Sequence, residues 1–146
     1  MKRPLSLSIL MWFSALYAVG AILGIAAVVL DLGRFVGSYS MGGMPVSREK
    51  WLTTAAPLVA IISILMGATA LGLKRHRPWA RKPFMCIWPI IIVFGIGSAV
   101  AGAVPWSLGI RAVIDASFVG GIAAWLLFGS KASRAYFDYL RASARE

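Results

Sequence analysis

Acidic side chains are scarce in this sequence. Five Asp and Glu stand against fifteen Lys and Arg in 146 residues, and charged residues of all kinds make up only 14%. A soluble domain carries roughly 25% charged residues, so water is the wrong solvent for this chain. Cysteine and histidine are scarcer still. Cys86, the only cysteine, rules out an intramolecular disulfide, a CxxC redox pair and a cysteine-cluster metal site; it reads as a small packed or lipid-facing residue. His76, the only histidine, supplies neither a zinc ligand set nor a haem axial pair. Its neighbours Arg75 and Arg77 oppose cation binding, and it is expected to be solvated. There is no HExxH, no nucleophile elbow and no paired carboxylate within an apolar run, which argues against familiar enzyme chemistry. No cofactor is expected.

What is present is hydrophobicity: 60% of the residues are apolar and the mean hydropathy is +0.81. Helices of ~20 residues cross a bilayer, and four apolar runs of that length are predicted as helices over about 5–30, 51–73, 84–104 and 108–128. Lys2 and Arg3 ahead of the first run give it the look of a signal peptide, but it is far longer than the ~7–15 residues of such an apolar core and reads as an uncleaved anchor. Gly33, Gly37, Gly42, Gly43 and Pro45 break the hydrophobicity between 31 and 50 and make a long loop, of a size that often carries recognition. Pro105, Trp106 and Ser107 form a short turn, with Ser107 placed to cap the fourth helix. The expected fold is all-α, a four-transmembrane-helix bundle running up-down-up-down over residues 1–128. A polar tail, 129–146, follows it.

Orientation comes from the basic residues. Eleven of the fifteen Lys and Arg fall at the two termini and in the 74–83 loop, and four, Arg34, Arg48, Lys50 and Arg111, fall on the other side. The positive-inside rule then puts both termini in the cytoplasm and the 31–50 loop outside. Trp51 and Trp106 mark the outer interface, Trp79 and Trp125 the inner one. Lys74, Arg75, Arg77, Arg81, Lys82, Lys131 and Arg134 are expected to meet anionic headgroups. This placement, beside apolar runs, explains the positive charge without nucleic acid.

Among residues that carry chemistry, Asp115 stands out as a carboxylate inside an apolar run, where it is costly. Arg111 lies one turn earlier on the same helix face, so an i,i+4 ion pair would neutralise it while Arg111 snorkels outward; a proton relay or ligand site is the alternative. Small residues recur at four-residue intervals and permit close helix approach: Ala112, Ala116, Gly120 and Ala124 on the fourth helix, Gly95, Ala99 and Ala103 on the third, Gly20 and Gly24 on the first, Ser63 and Gly67 on the second. Packing within one bundle is their expected use. Pro57 and Pro89 each remove a backbone hydrogen bond and favour a kink. The tail reads as an amphipathic helix, with Ser133, Tyr136, Phe137, Leu140 and Ala144 on one face and Arg134, Asp138, Arg141 and Arg145 on the other. It is expected to lie in the headgroup plane, with docking to a partner as the second reading.

Two segments, Arg77-Pro78-Trp79-Ala80-Arg81 and Ser133-Arg134-Ala135-Tyr136-Phe137, carry a loose resemblance to small uncharacterised four-helix bacterial inner-membrane proteins. The resemblance implies an inner-membrane location and brings no activity with it. Thiol-oxidising quinone enzymes, vitamin K epoxide reductase-like proteins, small multidrug exporters, four-helix cytochromes and claudin-like proteins each require cysteines, a first-helix glutamate or histidines absent here. The functional expectation is a non-catalytic accessory, regulatory or immunity-type protein that packs against a membrane partner or a second copy of itself. The alternative is a small oligomeric transporter or channel using Asp115 and Arg111.

Overall fold

In a computed structural model, residues 3–32, 39–41 and 43–143 are described. The readings made for Lys2, for Gly33, Arg34, Gly37 and Gly42 of the long loop, and for Ala144 and Arg145 of the tail lie outside the described residues.

Helix α1, Leu5–Val29, follows Pro4, whose extended backbone ends the preceding coil and whose carbonyl accepts from the N–H groups of Leu7 and Ser8. Helix α2 runs over Arg48–Lys74. It starts three residues before the hydrophobic run because Ser47 Oγ accepts from the Lys50 N–H, an N-cap. Its turn at Trp51–Ala55 is widened to π geometry. Pro57 explains this: its ring would collide with the carbonyl of Thr53 in a regular helix, and the wider turn moves that carbonyl away. Helix α3 covers Pro78–Val100, α4 Trp106–Gly129, and a fifth helix, α5, Lys131–Ser143. The first four are long and apolar enough to cross a membrane. Between α1 and α2, strands β1 (Ser40–Met41) and β2 (Met44–Pro45) form a minimal antiparallel hairpin that turns at Gly43, φ +87°.

Three helices end in the same way, and in α3 this sets an end earlier than the predicted one. Helix α3 stops at Val100 rather than 104 because Gly102 enters the left-handed region; its N–H and that of Ala103 then turn back to the carbonyls of Ala99 and Ser98. Ala103 therefore lies in the turn, outside the helical ladder assigned to it. Asp31 after α1 and His76 after α2 take the same conformation, each at φ +53°, which Asp and His adopt more readily than most residues. At the start of α4 the N-cap is Pro105, and Ser107 sits within the first turn without a capping bond.

The helices pack as two close pairs, α1 on α2 and α3 on α4, joined through α2 and α3. Leu7, Ser14, Ala18 and Val28 of α1 are buried, as are Ile62, Ser63, Met66, Ala70 and Leu73 of α2, and Gly67 of α2 faces Ala18 of α1. Polar side chains tie both ends of this pair. Arg3 donates to the Leu73 carbonyl at 2.6 Å, and at the far end Arg48 donates to the carbonyls of Val28 (2.9 Å) and Val29 (2.7 Å). In the second pair the backbones approach until only small residues fit. A methyl group on Gly95 would stand 2.7 Å from Ala112 Cβ, and one on Gly109 would stand 2.9 Å from Ala99 Cβ.

Candidate functional site

The end of the bundle that carries the β-hairpin holds Arg111 and Asp115. Their spacing puts them on one face of α4, and Arg111 Nε lies 3.4 Å from Asp115 Oδ2. Both side chains are about two-thirds exposed, at 71% and 65%. They line a cavity of about 510 Å³ whose walls include Leu58 of α2, Phe94 and Ser98 of α3, and Leu108 of α4, with Met41 and Gly43 of the hairpin at its edge. A guanidinium and a carboxylate side by side beneath an apolar wall can hold one another or take a dipolar ligand. In a low-dielectric surround, removing one charge and leaving the other is the costly change.

The opposite, basic end is built differently. Ala80 and Trp79 of the short turn that opens α3 fold against Gly72, where a methyl group would meet Ala80 Cβ at 2.9 Å. That turn delivers Arg81 into the core. Its guanidinium carbon sits 4.3 Å from the centre of the Phe128 ring and 4.9 Å from that of Phe137, and the residue is only 8% exposed. Arg81 was grouped by sequence with the lipid-facing cations; it is instead enclosed by two aromatic rings, which attract a cation over their faces. Lys74, Arg75, Arg77, Lys82, Lys131 and Arg134 are exposed, and Arg134 also donates to the Gly129 carbonyl at 2.8 Å.

Helix α5 closes this end. The apolar face read from the sequence is the buried one: Ser133, Tyr136 and Phe137 have no exposure and Leu140 has 8%. It is covered by the chain itself, in a cluster with Leu7, Leu73, Ala80, Phe84 and Leu127, and not by headgroups. Tyr136 makes the link to the 74–82 turn, its hydroxyl sharing a hydrogen bond of 2.6 Å with His76 Nδ1. His76, expected to be solvated, is exposed and is also anchored on one side by this bond to α5. The polar face keeps Asp138 and Arg141 paired at 3.7 Å.

The small-residue series divide. Gly95, Ala99 and Ala112 meet at the α3–α4 contact, Ala116 is buried on the same helix, and Gly120 lies under the Trp88 ring, where a methyl group would stand 2.9 Å from Trp88 Cγ. Ala124 is half-buried. Ser63 is buried, and Gly67 faces Ala18 of α1. Gly20 and Gly24 do otherwise. Both are exposed, and a methyl group on either would touch nothing within 4 Å. Gly72 and Gly109, two of the tightest positions, carry no sign in the four-residue pattern: Gly72 meets Ala80, which arrives through a turn, and Gly109 stands three residues, not four, before Ala112. Among the described residues no three His, Cys, Asp or Glu side chains gather closely enough to hold a metal ion. Comparison with protein-family models, with curated proteins and with solved structures finds no match for this chain.

Proposed function

We propose that this chain is a non-catalytic integral protein of a bacterial inner membrane, with its four long helices crossing up-down-up-down and both termini in the cytoplasm. Its task on this reading is association: it serves as an accessory, regulatory or immunity-type subunit that packs against a transmembrane helix of another protein. The observation that carries the reading is the outward face of α1. Its glycines Gly20 and Gly24 stand between the exposed side chains Leu16, Val19 and Leu23 and leave a notch that admits a second helix backbone, while the other small-residue series close on the chain itself. Helix α1 makes its main helix contact with α2, and Gly20 and Gly24 lie away from any neighbour in the chain. Anionic headgroups at the six exposed cations are the expected lipid contact, and nucleic acid has no part in it.

The test is isolation from membranes in mild detergent followed by mass analysis of the native particle. A stoichiometric partner, or a second copy, that is lost in a Gly20→Leu/Gly24→Leu variant supports the reading. A monomer in both proteins contradicts it. The transporter alternative draws on the cavity at Arg111 and Asp115. Against it stands the packed basic end, where Tyr136, Phe137 and Arg81 are buried across the course a polar path would take. Flux in liposomes that disappears in Asp115→Asn would reverse the order of the two readings.

A further inference from the structure

A second cavity, of about 410 Å³, lies between α1 and α4, with its walls completed by α2 and α3. It arises because α1 packs on α2 and α4 packs on α3, so these two outer helices diverge. On α1 it runs from Ser6 to Tyr17, on α3 from Phe84 to Ile91, and on α4 from Val119 to Leu127. At 1.5 Å per residue these stretches are roughly 10–16 Å long, about half of a ~30 Å hydrocarbon core. The groove therefore begins at the basic end and stops near the bilayer midplane.

Length and lining decide what fits. A membrane-crossing helix would need a groove along the whole ~30 Å core, whereas this one, walled by apolar side chains from Leu7 to Leu127, ends at about half that depth, the reach of one acyl chain from a single leaflet. Charge at the mouth agrees. Lys82 lies two residues before Phe84 on the same helix, and Lys131 opens α5 just beyond the extended Ser130 that ends α4; both are exposed and belong to the basic end, at headgroup level. We infer that the groove is a binding site for one acyl chain of an anionic phospholipid from the leaflet at the basic end, with its phosphate held between Lys82 and Lys131.

The site is tested in vesicles of phosphatidylcholine and phosphatidylglycerol in which the phosphatidylglycerol carries a diazirine at the end of one chain. Irradiation and peptide mapping should place the label on Tyr17, Ile91 and Val119 at the blind end, at least fivefold above Ile64 and Val93, which are exposed on other faces at 70% each. Val119→Trp and Leu126→Trp, at positions 43% and 42% exposed and so tolerant of bulk, should each reduce that label at least fivefold. Ile114→Trp, outside the groove, should leave it unchanged. Label spread evenly over all exposed faces, or unaffected by either groove variant, would mean ordinary boundary lipid and overturn the proposal. So would labelling by a free diazirine fatty acid but not by the phospholipid, or occupation of the groove by a co-purifying peptide.

Discussion

The two ends of the bundle are held by different physics. At the basic end a cation, three aromatic rings and four separate chain segments interlock, with Arg81 between Phe128 and Phe137 and Tyr136 tied to His76. At the hairpin end the contacts are backbone caps, an arginine clasping the last carbonyls of α1, and an ion pair open on most of its surface. One end gains its stability from burial, which is costly to disturb. The other relies on exposed polar contacts, which are individually weak. Adaptation to a partner or ligand is therefore cheaper at the hairpin end.

The largest effect should come from Phe137→Ala, which empties a fully buried site and removes one face of the Arg81 sandwich. A loss of about 3–5 kcal/mol is expected in denaturant unfolding in micelles, with faster hydrogen exchange across 131–143. Next is Gly72→Ala, whose new methyl would stand 2.9 Å from Ala80 Cβ and 3.0 Å from its Cα. Overpacking of this kind costs about 1–3 kcal/mol, and the Trp79 fluorescence should shift as the turn moves away.

These two variants also show where the sequence was readable. Hydropathy located all four long helices because a bilayer interior demands ~20 apolar residues in a row. The four-residue interval located Gly95, Ala99 and Ala112 because their partners lie on an adjacent helix with the same period. Gly72 gave no such signal, since its neighbour Ala80 arrives through a turn. Arg81 looked like its neighbours Arg77 and Lys82, because no local feature tells a cation on lipid from one placed between rings 47 and 56 positions further along. The pattern of α5 identified its apolar face correctly and left open what would cover it. Gly20 and Gly24 pose the same difficulty, as a period says which residues share a face and not where that face points.

Smaller effects sharpen the contrast. Arg81→Met keeps most of the volume and removes the charge; a loss of about 0.5–2 kcal/mol, the size of a cation–π contact, should appear in the same unfolding assay, with Arg81→Lys between it and the native protein. Tyr136→Phe removes one hydrogen bond, worth about 0.5–1.5 kcal/mol, and should loosen the 74–82 turn in hydrogen exchange without releasing α5. Smallest of all is the exchange Arg111→Asp/Asp115→Arg. A change below about 1 kcal/mol is expected from an exposed i,i+4 pair, and a larger loss would mean that the hairpin-end cavity is as tightly specified as the basic end.

The proposed role rests above all on the side of the membrane that the interlocked end occupies. Fusing green fluorescent protein or alkaline phosphatase after Glu146, in separate strains, tests it directly. Fluorescence without phosphatase activity is the predicted result; phosphatase activity without fluorescence, or a fusion recovered in the soluble fraction, would contradict it.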